Sequence, residues 1–204
     1  MALTCPIDLD VDTLRAEVQT MYSRVASAPA GDFHFHRGPE YAATRLAYDA
    51  AELAALPLEM TSAFAGVGNP HAIDRIPAGS VVVDVGCGAG TDLLLAARRV
   101  GAHGRAIGVD MTEAMRARAV EGARACGFTN VEIVNGDATH LGVADATADA
   151  VISNGVLNLV PDKARAVAEM ARVLKPGGRV QIADIIIGEI LPDDALRDID
   201  LWTG

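Results

Sequence analysis

Three acidic side chains and a run of glycines carry the most specific chemistry in this sequence. Asp84-Val85-Gly86-Cys87-Gly88-Ala89-Gly90 follows a β-branched run, and glycines at such a turn let backbone N–H groups approach a ligand closely. Asp110 lies 24 residues after Gly86, at the end of the next apolar run, where a carboxylate can accept both hydroxyls of a ribose. Asp137 closes a third run and offers an acceptor for the exocyclic amine of an adenine. Carboxylates at three consecutive strand ends describe a nucleoside site. The spacing is G-x-G-x-G preceded by an acid inside the strand, not the G-x-G-x-x-G of dinucleotide binders. Lys163 and Lys175, the two lysines, also leave little room for a reductase Tyr and Lys pair. Asp84 beside the turn would repel a pyrophosphate but can face an ammonium group. A zwitterionic amino-acid tail on an adenosine meets these demands, which makes S-adenosylmethionine the expected cofactor in place of NAD.

The elements that must position these groups are readable from periodicity. Val81 to Val85 is too short and too β-branched for a helix, and Leu93, Leu94, Ala97 and Val100 share a helical face closed by Gly101. Strand Ala106 to Val109, helix Thr112 to Cys126 with Gly127 behind it, and strands Val131 to Val134 and Ala148 to Ser153 continue the pattern. Pro161 suits a first helical turn, Lys175-Pro176-Gly177-Gly178 stops that helix, and Arg179 to Ile187 reads as a fifth strand. Near-continuous apolar strands alternating with helices predict a doubly wound, Rossmann-like α/β fold with a mostly parallel sheet. Residues 1–70 read as an N-terminal helical cap, with apolar positions of helical period from Val11 to Ser27 and the helix-start pair Asp49 and Glu52. Residues 71–204 read as the cofactor-binding domain.

The segments D-V-G-C-G-A-G, G-V-D-M-T, S-N-G-V-L-N-L-V-P-D-K and R-V-L-K-P-G-G-R together resemble class I methyltransferases, and most closely the arsenite methyltransferase family. The likeness runs from about residue 64 to 204 and is loose over residues 1 to 60. It implies that Asp84, Gly86, Cys87 and Gly88 hold the methionine end, Asp110 the ribose, Met111 one adenine face and Asp137 with Ala138 the adenine edge. It further implies Asn154 on the methyl side as the catalytic position, and transfer of a methyl group to trivalent arsenic, carried as a thiol adduct. Class I methyltransferases build seven strands, and five are read here, so the last two are expected to be lacking.

The departures bear on the acceptor. The family places arsenic-binding thiolates where this chain has Val67 and Gly155, and another cysteine after an L-W-x-G segment where this sequence ends at Gly204. A small organic acceptor and a truncated, non-catalytic cofactor-binding module are therefore the alternatives. Cys87 reads as a packed residue of the turn, Cys126 as helix-end packing and Cys5 as part of a loose terminus. His34 and His36 share one side of an extended segment but lack a third ligand, so no metal site is expected, and Phe33 to Gly38 reads as a lid loop. Tyr22 is the tyrosine expected to touch the cofactor.

Composition limits the partners. A net charge of -10, from 27 acidic against 17 basic residues, argues against nucleic acid and anionic membrane, which need a basic stripe. Three cysteines without C-x-x-C spacing fit a reducing compartment, and the opening residues lack a signal-peptide pattern, so a cytoplasmic protein with a small-molecule or metalloid substrate is expected.

Overall fold

The computed structural model describes residues 10–186 and Gly188. Asp10 starts the first helix by accepting the Thr13 N–H at 3.0 Å, and α1 (Val11–Ser27) follows over the span the apolar period predicts. Three short helices come next: α2 (Gly38–Arg45), α3 (Ala50–Ala54) and α4 (Leu58–Thr61). Asp49 caps α3, accepting from Ala51 at 2.7 Å and Glu52 at 3.0 Å. A 3-10 turn at Pro70–Ala72 leads into the alternating region.

That region contains β1 (Val81–Val85), α5 (Thr91–Val100), β2 (Arg105–Asp110), α6 (Glu113–Ala125), β3 (Val131–Asn135), β4 (Ala148–Asn154), α7 (Lys163–Val173) and β5 (Leu174–Ala183). The five strands pair in the order β3-β2-β1-β4-β5, all parallel. Strand order reverses between β1 and β4, and the crevice outside the carboxyl ends at such a switch point is where open α/β sheets hold ligands. β1 runs through the middle, so its alternate residues serve two cores. Val83 and Val85 pack with Ile107, Val151, Met170 and Val173 on the α7 side, whereas Val82 packs with Ala96, Val100 and Ile152 on the α5 side. This two-sided burial explains why the strands read as apolar runs without alternation.

Four local expectations change. Pro161 lies outside α7, which begins at Lys163 because Asp162 caps it by accepting Arg165 N–H at 2.9 Å. Lys175 to Gly178 do not separate helix from strand. β5 already pairs through Leu174 with Ala148, and the register then jumps to Arg179 opposite Ala150. The intervening residues bulge, with Gly177 at a φ of 83° and Lys175 Nζ 2.9 Å from both Asp149 oxygens. β5 also ends earlier than Ile187, at Ala183. Asp137 stands two residues beyond the end of β3, not on it. Cys5, Leu201 and Trp202 lie outside the described residues.

The aromatic segment after α1 packs inward. Phe35 stacks on Tyr22 with centroids 6.1 Å apart, His36 on Tyr41 at 5.1 Å, and the Arg37 guanidinium covers the Phe33 ring at 4.1 Å. The two histidines are thus partnered by rings, and no group of three or more His, Cys, Asp or Glu arranged to hold a metal ion occurs among the described residues.

One buried carboxylate fixes the route from Asp137 to β4. Glu169 of α7 accepts from Leu141 N–H at 3.2 Å and from Arg172 at 2.9 and 2.7 Å, with Arg165 3.3 Å away. The Arg172 hydrogen bonds hold its carboxyl at about 2, below the usual 4.5. A depressed folded-state value contributes stability that is present above the unfolded value and lost as pH falls toward the folded one. Glu169→Gln should therefore cost roughly 1–3 kcal/mol in urea denaturation at pH 7. The gap to wild type should shrink as the same titration is repeated from pH 5 down toward pH 2.

Candidate functional site

The carboxyl ends of β1, β2 and β4 open into one cleft of about 1140 Å³, mouth included, and all nine residues singled out from the sequence line it: Asp84, Gly86, Cys87, Gly88, Asp110, Met111, Asp137, Ala138 and Asn154. Sheet register brings them together. Val85 pairs with Val109 on one side and Ser153 on the other, so the turn after β1, Asp110 and Asn154 emerge at one level.

The glycine turn is held from β2: Gly86 and Cys87 donate to Val109 O at 2.8 and 3.0 Å. Gly86 has a φ of 68°, and a Cβ there would sit 2.4 Å from a Val156 methyl, so only glycine fits. Gly88 has a φ of 53° and nothing within 4 Å of an added Cβ, so this part of the turn faces open space where a ligand can meet bare backbone. Cys87 is 7% exposed, with its sulfur 2.7 Å from the place a Cβ on Gly108 would take. Burial, then the charges of Asp110 and Asp84, push its thiol well above the usual range. It is a packing thiol.

Asp110 accepts from Gly88 N–H at 2.9 Å and Thr112 N–H at 2.7 Å. A carboxylate has about four acceptor positions, which leaves capacity for hydroxyl donors. Burial raises its pKa, and the two backbone donors oppose the rise. Asp84 is 2% exposed, and its Oδ2 has no hydrogen-bond partner. Burial, followed by the charges of Asp92 and Asp110, lifts its carboxyl well above the ordinary value. An orphaned, buried carboxylate oxygen at the cleft wall suits a cationic group. Asp137 takes Thr139 N–H at 2.7 Å on one oxygen and stands 3.3 Å from the Arg15 guanidinium with the other. Met111 packs with Leu14, Val18, Tyr22 and Leu159, while its carbonyl accepts from Gln19 at 3.3 Å.

Asn154 is the most heavily bonded side chain of the site. Its oxygen accepts from Val67 N–H at 2.8 Å and Gly68 N–H at 3.2 Å. Its nitrogen donates to Gly68 O at 2.8 Å, to Asp92 Oδ2 at 3.0 Å and to the Tyr48 oxygen at 3.0 Å. Beside it, Val67 Cγ1 is 3.4 Å from the position of a Cβ on Gly155, so the two positions that carry thiolates in the resembling family are neighbours and here are apolar.

Several residues of the wall escaped the sequence reading. α1 contributes Arg15 and Val18 beside Tyr22, whereas Phe33 to Gly38, read as a lid, are not among the residues that line the cleft. Burial, with the charges of Asp110 and Asp184 behind it, pushes the Tyr22 phenol up to about 12. Asp92 sits buried in the first turn of α5, an acid directly before the apolar run Leu93 to Ala97, and that contrast was its only sequence signal. Asp184, just past β5, gathers the N–H groups of Val156, Leu157 and Asn158 at 2.7 to 3.0 Å and so shapes the loop after β4.

Comparison with known proteins agrees with this geometry. Residues 76–200 match the family model described as a methyltransferase domain. An arsenite methyltransferase of Halobacterium salinarum is 44% identical over 160 residues, 78% of this chain and 41% of that protein. One of Mus musculus is 30% identical over 208 residues, 95% of this chain and 53% of that protein. The X-ray structure of an arsenic(III) S-adenosylmethionine methyltransferase from Chlamydomonas reinhardtii superposes with a TM-score of 0.67 at 37% identity, covering 75% of this chain and 55% of that one. The chain thus spans from about two fifths to about half of these relatives' lengths. With a parallel sheet switching order at β1, a glycine turn over the switch point and these relatives on both sequence and structure, the chain belongs to the class I S-adenosylmethionine-dependent methyltransferase family.

Proposed function

We propose that this chain binds S-adenosylmethionine in the cleft and directs methyl transfer to a small acceptor at the Val67 and Gly155 end, with trivalent arsenic, delivered as a thiol adduct, as the acceptor its relatives favour. The observation that carries the binding is the unmatched oxygen of Asp84 beside the open backbone of Gly88. In this reading Asp84, Gly86, Cys87 and Gly88 hold the amino-acid end and Asp110 the ribose. Met111, Asp137 and Ala138 surround the base, and Asn154 orders the acceptor side. The bound cofactor supplies a methyl group already activated on a sulfonium. The protein's part is alignment and exclusion of water, and proximity alone contributes several kcal/mol to such a reaction. Residues 1–70 act as a cap, since α1 supplies one wall of the cleft, and residues 71–204 as the binding domain.

The Val67 and Gly155 contact favours a second reading of the acceptor, a small organic molecule. Trivalent arsenic is soft and its tight capture needs converging thiolates, and this end of the cleft offers two methyls and a glycine. Methyl transfer from labelled cofactor to arsenite with glutathione decides between the two. Product on arsenic supports the first, and cofactor binding without arsenic product supports the second.

Three outcomes are expected. Asp110→Ala should weaken S-adenosylhomocysteine binding by about 1.5–3 kcal/mol in calorimetry, the worth of a hydrogen bond to a charged group, while NAD gives no heat with wild type. Asp84 holds its proton to higher pH than a free carboxyl, and a neighbouring ammonium lowers that value. Binding at a pH above the ordinary carboxylate range should therefore release protons, seen as an enthalpy that differs between buffers of unlike ionisation heat and no longer differs in Asp84→Asn. Wild type should bind a phenylarsenical weakly, because its cleft thiol is buried. Cysteines introduced by Val67→Cys and Gly155→Cys should create a two-thiol site, at a backbone cost of about 1–2 kcal/mol for a side chain at the positive φ of Gly155. Tight stoichiometric binding by wild type, lost in Cys87→Ser, would overturn the packing role of Cys87.

A further inference from the structure

Behind Gly155 and Asn154 the cleft is backed by buried polar groups. Asp92 is 7% exposed and Tyr48 5%, and they meet at 2.7 Å, with Tyr48 donating to Asp92 Oδ1. Asp92 Oδ2 accepts from Asn154, and His71 Nε2, also buried, lies 3.2 Å from Oδ1. Burying a carboxylate is costly unless its oxygens are matched, and replacing such a cluster with apolar side chains is often neutral or stabilising. Its presence at the cleft wall asks for a local task.

The task is visible in what the cluster holds. Tyr48 belongs to the link between α2 and α3, Asp92 to α5, Asn154 to the end of β4. Tyr48 and Asn154 converge on Gly66-Val67-Gly68, and Asp92 bridges the two. Asn154 binds both N–H groups of Val67 and Gly68, and Asn154 and Tyr48 both reach Gly68 O, at 2.8 and 3.1 Å. Gly66 passes so close that an added Cβ would stand 2.3 Å from the Asn154 nitrogen. The chain accepts strain to deliver Tyr48: Ala47, immediately before it, has a φ of 57°, a conformation costly for any residue with a Cβ.

We propose that Tyr48, Asp92 and Asn154 form one positioning latch that holds the Gly66-Val67-Gly68 segment, whose Gly66 lines the cleft with Gly155, and that the segment's position, by seating Val67 against Gly155, sets which acceptors fit. The proposal rests on the function assigned above for its consequence and on the hydrogen-bond geometry alone for its existence. Asp92 is its centre, since it ties the cap's Tyr48 to the sheet's Asn154. The latch touches the acceptor end, not the glycine turn, so its loss acts on acceptor affinity before cofactor affinity.

The test uses the full chain. Amide hydrogen exchange at Val67 and Gly68, followed by NMR, reads the latch directly. Asp92→Ala should speed that exchange by at least about tenfold and Tyr48→Phe by about three- to tenfold, the range for losing one or two hydrogen bonds. Asp92→Asn should stay within about threefold of wild type, because an amide can turn its oxygen to Asn154 and its nitrogen to Tyr48. With arsenite and glutathione as the acceptor probe, KM should rise in Tyr48→Phe while that variant's Kd for S-adenosylhomocysteine stays within about threefold of wild type. Tyr48→Phe, which removes one oxygen, keeps the test decisive if Asp92→Ala does not fold. Unchanged exchange in both variants overturns the latch. A Kd that rises in step with KM overturns its assignment to the acceptor end. If wild type does not methylate arsenite, the functional reading fails on that acceptor, and the exchange result still decides the latch.

Discussion

Carboxylates crowded into one cleft are the constraint around which the rest of the molecule is arranged. Asp84, Asp92 and Asp110 all line it, and burial together with their mutual charge opposes ionisation of Asp84. Each has a different answer. Asp110 is matched by backbone N–H groups of the glycine turn and of the residue before α6. Asp92 is matched by a phenol and an amide. Asp84 keeps one oxygen unmatched. The turn at Gly86 to Gly88, the start of α6 and the return of the cap over the cleft all serve this distribution, and a parallel sheet buried on both faces lets such groups emerge only at strand ends.

What was legible in the sequence follows from how local each cause is. Strands buried on both sides announce themselves as apolar runs, and the turn at Gly86 is dictated within a few residues, so the parallel sheet, the glycine turn and the acids Asp84 and Asp110 could be read from the residues, whereas Met111, Ala138 and Asn154 came from likeness to the family. Tyr48, His71 and Asp92 could not. Their roles come from meeting across 20 to 106 residues of chain, and a tyrosine in a link or a histidine in a 3-10 turn carries no periodic signal. The bulge at Lys175 to Gly178 failed for a related reason. Pro176, Gly177 and Gly178 signal a turn correctly, yet pairing of Leu174 with Ala148 had already begun the strand, and no property of the segment itself encodes that partner. Asp137 was found by type and misplaced by two residues, since a carboxylate binding the N–H two residues on prefers a turn to a strand.

The cap and the sheet share the site instead of dividing it. Arg15, Val18 and Tyr22 come from α1, and Ala63 to Gly66 from the approach to β1, while the glycine turn and the acids come from the sheet. Two chemically unlike ends result. At one, charged and backbone groups face a nucleoside-sized space; at the other, Val67 and Gly155 meet in an apolar contact framed by a polar lattice behind it. On the function proposed above, specificity for the transferred group and specificity for its destination would be held by different segments.

The lattice and the α1 wall have a bearing on how the molecule assembles. β1 pairs with β4 across 68 residues, but Gln19 reaches Met111 across 92 and Asn154 reaches Tyr48 across 106. Chain-closure entropy must be overcome before pairings at that separation contribute. The sheet can therefore be complete while the cleft is still open on its cap side, and the cleft is the region where partial unfolding would begin. A ligand that bridges the acids and the α1 wall joins those distant segments, so its binding acts on the folding equilibrium as a cross-link between the first helix and the sheet.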